Sequence, residues 1–355
     1  MTRSFAVFVA MSLLATPSLA AQAATPLTEA QLTDRLGKTL DSLAALGEFS
    51  GAVGMTRGGV KVFERAYGMA DRATKRPNTV TTEFNIGSIN KVFTATAIRQ
   101  LAAAGKLDLD STLGHYWPDY PGVAARKATI RQMMEHQAGL GGNIFDPPPG
   151  GTRNDIKHNN DYLQLFVSEP QAFAPGTSRR YCNACYVVLG MLIERVSGED
   201  YYAYIRRHVY APAGMTHTGS YKVDSLPPNT AIGYTTGLED APPGAPLHPN
   251  RAELPGRGSA AGGGYSTIGD LLQFITALRD RKIPAGPPAG IGIAGGSGGL
   301  NAVLEGDLPG GYDLAVTANL DPPAAERVGE MVRKWLGASD GPGPGPGPGP
   351  RQGPD

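Results

Sequence analysis

Residues 84–98 read FNIGSINKVFTATAI, and within them Ser88 and Lys91 stand three positions apart. From Ile89 the apolar residues Val92, Phe93, Ala95, Ala97, Ile98, Leu101 and Ala102 recur at helical spacing, with Ser88 at the start of the pattern, just after Gly87. A purely structural account makes Ser88 an N-cap and Lys91 a solvated side chain. Against it, a lysine in the first turn opposes the helix dipole, and Lys91 lies between Asn90 and the apolar pair Val92-Phe93. A chemical account also fits: the start of a helix holds unpaired backbone N–H groups, and a lysine kept neutral by burial can take a serine's proton. Alone, S-x-x-K is a common chance match.

Working outward, residues 28–46 have the pattern of an amphipathic helix, and GAVGMTRGGVKVFERAYGMAD (51–71) that of a β-hairpin turning at Gly58-Gly59. After Gly105 comes a Pro-, Gly- and polar-rich middle with short helices, then helices over 184–197, 200–209 and about 267–279. Strands NAVLEG and YDLAVTANL and a helix over 322–336 close the chain. Strands at both ends around a helical middle predict a mixed α/β fold, one sheet completed by N- and C-terminal segments, with flanking helices and an inserted all-helical region.

The 355 residues are 41% apolar, enough for a large core in one sizeable domain or two closely packed ones. Lys plus Arg and Asp plus Glu are both 32, so no charge excess points to nucleic acid or an anionic membrane, and a small-molecule or peptide substrate fits better. Residues 1–23, MTRSFAVFVAMSLLATPSLAAQA, have the form of a signal peptide cleaved after Ala20 or Ala23. An uncleaved anchor is the competing reading, but the apolar run is shorter than the ~20 residues that span a bilayer. The expectation is a periplasmic or secreted protein without a stable membrane anchor. Residues 337–355, with strict Gly-Pro alternation from Gly341 to Pro350, offer nothing to bury and are expected to form an extended tail, leaving 27–336 as the folded domain.

A second element is Tyr181-Cys182-Asn183 ahead of another apolar helix, a Y-x-N turn that can offer a phenol for proton transfer and an amide to a substrate carbonyl. Tyr181 as an ordinary core aromatic is the plainer alternative. Cys182 and Cys185, the only cysteines, form either a disulfide or two packed small residues; two thiols fill only half a tetrahedral metal site, so neither metal nor cofactor is expected.

S-x-x-K, Y-x-N about ninety residues later and a Gly-rich strand near the C-terminus together resemble the serine β-lactamase and penicillin-binding-protein-like hydrolases, particularly the class C, DD-peptidase and esterase branch. The likeness runs along most of the chain, including IRQMMEHQAGL, YCNACYVVLGMLIERVSGEDYYAYIRRHVYAPAGMTHT and GSAAGGGYSTIGDLLQF. It implies a β-lactamase/transpeptidase-like antiparallel sheet, Ser88 as nucleophile, Lys91 as its base, Tyr181 sharing proton transfer, and Asn183 orienting substrate. Which of Lys91 and Tyr181 is the formal base stays open.

The family's third motif is Lys or His, a small residue and Gly, followed by a residue whose N–H serves the oxyanion. AGGSGGLNAV aligns with it as Gly296-Ser297-Gly298-Gly299, which puts Gly296 at the cation position and Gly299 as the oxyanion donor. Only RDRKIPAGPPAGIGI separates the preceding helix from this strand, which implies a truncated central sheet. The function expected is an exported serine hydrolase acting through an acyl-enzyme on an ester or amide. Its rival is a catalytically impaired binder of β-lactam or peptidoglycan-like ligands. Without a cation at Gly296, uncharged esters should outrank carboxylate-bearing substrates, unless Arg257 or an arginine of the middle region supplies the contact.

Overall fold

The computed structural model describes residues 27–237, 244–288 and 290–338; the expected leader lies outside these residues, as does the tail beyond Ala338. The first hairpin turns at Gly58 and Gly59, whose φ of 57° and 83° are left-handed values that glycine adopts without penalty. It joins β1 (Gly51–Arg57) to β2 (Val60–Tyr67). Three further strands come from the far end of the chain: β3 (Gly292–Ser297), β4 (Leu300–Leu308) and β5 (Tyr312–Ala318). The order is β2-β1-β5-β4-β3, every neighbour antiparallel, with β1 and β5 in register from Gly51 opposite Ala318 to Arg57 opposite Tyr312. At the seam Ser50 Oγ donates to Asn319 Oδ1 at 2.7 Å, across 269 residues of chain.

Alternation of side chains along the strands splits the core in two. Val53 and Met55 of β1 and Leu314 and Val316 of β5 face α1 (Glu29–Ala45) and the last helix, α5 (Ala324–Leu336), through Leu32, Leu36, Leu40, Val328 and Val332. Ala52, Ala302, Leu304 and Ala315 face the other way, toward α4 (Ile268–Arg279) and the helical middle. Gly54 keeps that second layer close: a Cβ there would stand 2.9 Å from the Leu272 side chain. Polar caps set the helix starts, Thr28 with Gln31 in a reciprocal box before α1 and Thr267 before α4.

Two helices carry the chemistry of interest, α2 (Asn90–Ala103) and α3 (Asn183–Ser197), packed together in the larger core. The predicted mixed α/β architecture is the one found. The expected truncation of the sheet takes a different form. Residues 280–291 add no strand among those described, yet β4 is paired on both sides. β3, like β2 at the opposite end of the sheet, has a single partner, and its free edge borders a groove of about 1420 Å³.

Candidate active site

Ser88 lies in a single 3₁₀ turn, Gly87–Ile89, that leads into α2. Gly87 has φ +49°, and a Cβ there would come within 3.1 Å of the Gly295–Gly296 peptide, so glycine is needed both for the turn and for the close approach of β3. The turn is tied on its other flank, where Ile86 N–H donates to Gly264 O and Gly263 N–H to Gly87 O.

One turn on, Lys91 is 3% exposed. Its Nζ is 3.0 Å from Ser88 Oγ and donates to Ala261 O at 2.5 Å. No carboxylate pairs with it among the described residues, and burial pulls its pKa well below the usual lysine value. The rings of Tyr181 and Tyr186 lie 4.8 and 5.6 Å from Nζ. The strap 258–261 that receives the amine is itself held: Asn90 Nδ2 donates to Ser259 O, Thr94 Oγ1 to Ala260 O, and the Tyr202 hydroxyl to Gly258 O.

Tyr181 stands just before α3. Burial raises the pKa of its phenol, and the Ser88 side chain beside it draws the value partly back. His136, from the EHQAGL stretch, underlies it with ring centroids 4.7 Å apart, and its Nδ1 accepts from Cys182 N–H at 3.2 Å. His136 has φ +63° and a pKa lowered to about 4, first by burial and then by the Lys91 and Arg179 charges, so it is neutral near pH 7. Cys182 and Cys185 are joined in a disulfide, and Cys182 Sγ accepts from Cys185 N–H, capping α3. Asn183 opens α3, half-buried, with no side-chain partner among the described residues.

The third motif is where the alignment has to be corrected. Gly299 N–H donates to Asp321 Oδ1 at 2.7 Å, so it is committed to that carboxylate and is not free for an oxyanion. Gly298 O accepts from Asn250 Nδ2, and Gly298-Gly299 form the two-residue turn between β3 and β4, where Ser297 pairs with Leu300. Gly295 is the residue pressed against the Ser88 turn: a Cβ there would be 2.3 Å from Ile86 O and 2.7 Å from Ser88 N. The backbone next to Ser88 is therefore Gly295-Gly296, three residues earlier than the alignment placed it. The residue two before this essential glycine is Ile293, so a cation is absent there as expected, but from a different position. Arg257 does not make up for it. Its guanidinium stacks on Tyr202 and its Nε donates to Ser220 O, outside the groove.

Ser88, Lys91 and Tyr181 thus converge beside the open edge of β3, where Lys91 and Tyr181 line the groove together with Arg99, His136, Arg179, Arg180, Ile293 and Ala294. Ala261, His136 and Gly295 escaped the sequence reading. The two-residue Gly298-Gly299 turn was the signal that would have shifted the frame. Among the described residues no cluster of His, Cys, Asp and Glu could hold a metal, and no helix is long and apolar enough to cross a membrane.

A five-stranded antiparallel sheet with a buried lysine one turn after a serine, under a tyrosine, defines a serine-hydrolase scaffold. The chain belongs to the beta-lactamase family, whose model matches residues 38–334. Esterase EstB of Burkholderia gladioli is 30% identical over 83% of this chain and 82% of its own length, and a beta-lactamase of Yersinia enterocolitica is 31% identical over 77% and 66%. The chain spans only 60% of PbpX of Bacillus subtilis, a penicillin-binding-type relative 33% identical to it over 70% of this chain. A penicillin binding protein from Bacillus halodurans superposes with a TM-score of 0.74 at 27% identity, covering 84% of this chain and 98% of that one.

Proposed function

We propose that the chain is an exported esterase-type hydrolase that forms an acyl-enzyme at Ser88, with preference for uncharged esters. The observation that carries this is Lys91, buried, without an anionic partner, 3.0 Å from Ser88 Oγ. A neutral amine that spends one N–H on Ala261 O keeps its lone pair for the serine hydroxyl. Ser88 Oγ then attacks the ester carbonyl carbon as its proton passes to Lys91 Nζ. Ser88 N–H, which has no partner among the described residues, and Gly296 N–H across from it are the candidate oxyanion donors. Tyr181, next to both Ser88 and Lys91, relays the proton to the leaving alkoxide, and water releases the acid by the reverse sequence.

The preference for neutral esters rests on Ile293, which gives a substrate carboxylate nothing to bind. The test is kcat/KM for p-nitrophenyl acetate against a penicillin or a D-Ala-D-Ala peptide, with fluorophosphonate labelling of Ser88 and of Ser88→Ala as control. Undiminished labelling of Ser88→Ala would refute the nucleophile. A β-lactam preference would instead give Arg179 or Arg180, which also line the groove, the carboxylate contact. Export rests on residues 1–23, and a cytoplasmic full-length chain on cell fractionation would overturn it.

A further inference from the structure

On the far side of the strap that holds Lys91 lies a second cavity, of about 350 Å³, sharing no lining residue with the Ser88 groove. That volume is at the lower end of the ~300–1,000 Å³ of small-molecule sites. Tyr201, Tyr202, Ile205 and Tyr210 form its buried wall, and Arg206, Lys222 and Arg257 its charged side. The helix beneath changes character here: Tyr201–Ile205 is α-helical and Arg206–Tyr210 is a π-turn, a local form that recurs at functional sites.

The charges are the unusual part. Lys222 and Arg257 face each other in an isolated antiparallel bridge, so two cations project from directly opposed positions, an arrangement that repels. No Asp or Glu is in the lining, and none of the three cations has an ion-pair partner among the described residues. Arg257 is pre-set: its guanidinium lies 3.4 Å over the Tyr202 ring with Nε fixed on Ser220 O, which leaves both Nη groups free. A planar cation held flat on a tyrosine, with a second cation opposite and further rings around, suits a carboxylate carried on an aromatic ring: the carboxylate takes the fork of Arg257 and the ring packs among the tyrosines.

We infer that this cavity is a second binding site, separate from Ser88, for a small aromatic carboxylate. The probe is benzoate, titrated by calorimetry into the mature full-length protein carrying Ser88→Ala so that no turnover intrudes. Saturable one-to-one binding is expected, weakened about tenfold or more by Arg257→Gln and by Lys222→Glu. Because Arg257→Gln loosens the Tyr202 stack, Lys222→Glu at an exposed position is the variant that keeps the test independent of folding. Benzyl alcohol and inorganic phosphate should each bind at least about tenfold more weakly, since one lacks the charge and the other the ring. Absence of saturable binding would overturn the inference, as would unchanged affinity in folded Lys222→Glu. Phosphate binding as tightly as benzoate, or loss of benzoate binding in Arg99→Gln, which alters only the Ser88 groove, would overturn it too.

Discussion

Replacing Gly295 by alanine probes the contact on which the site depends. The added methyl would stand 2.3 Å from Ile86 O, 2.7 Å from Ser88 N and 3.1 Å from Gly87 C, all of them backbone atoms that no rotamer change can move. Bringing the shortest of these to ordinary contact forces β3 and the Ser88 turn apart by about 1 Å, and misplacement on that scale costs on the order of 10²-fold in rate. Loss of one oxyanion donor gives a similar figure, about 10²–10³ in kcat. Gly295→Ala should therefore lower kcat for p-nitrophenyl acetate by roughly 10²-fold with little change in KM, and overpacking should destabilise the fold by about 1–3 kcal/mol. Gly296→Ala is the control, because its methyl meets the side chains of Pro322 and Asn301 on the other face, at 2.8 and 3.1 Å. Its kcat should stay within about tenfold of the parent, set against the roughly 10²-fold expected next to it. A burst assay on the purified variants, alongside thermal melts, separates acylation from folding. Wild-type kcat in Gly295→Ala, or a larger loss in Gly296→Ala, would refute the placement of β3 against Ser88.

Lys91→Met should lower kcat by about 10²–10⁴, the usual worth of a general base, while the variant melts at a higher temperature than the parent at pH 7. The sign follows from burial. Below the ordinary lysine pKa of 10.5 the unfolded chain binds a proton that folded Lys91 releases, so the parent loses stability as pH falls below that value, and the gap to methionine should close as pH rises toward it. A gap independent of pH in thermal melts would contradict this. His136 is expected to contribute stability that is present above its unfolded pKa near 6.5 and lost as pH falls toward about 4, because the folded protein holds it neutral. His136→Asn, a residue that tolerates the positive φ, should flatten the stability profile between those values. It should also lower kcat several-fold by freeing Tyr181; an unaltered profile would show that His136 titrates as freely in the fold as outside it.

The parts of this fold that follow simple periodicity could be read directly. The α2 pattern from Ile89 to Ala102, the Gly58-Gly59 hairpin and the helix over 184–197 all stand within a residue or two of expectation. What failed was β3. IGIAGGSGG has too few side chains to alternate, so its strand was placed three residues late, over what is really a turn and the start of β4. Its position is fixed by the absence of side chains at Gly87 and Gly295, a property of two distant segments meeting. The same holds for Lys91. Its chemistry was legible from its neighbours, but its second hydrogen bond goes to a backbone carbonyl 170 residues away that no local pattern announces. The π-turn at Arg206–Tyr210 and the left-handed His136 are likewise tertiary outcomes.

The pairing of β1 with β5 also sets the order of events in the protein's manufacture. The Ser88 turn is made early, but the strand lying against it, Gly292–Ser297, comes much later in the chain, and the seam between Ser50 and Asn319 closes only when both segments are available. Contacts so distant in sequence form late and slowly. A ribosome-bound chain therefore carries Ser88 and Lys91 without a formed groove. The groove forms only once β3, β4 and β5 are in place, which guards the partly made chain against premature reaction.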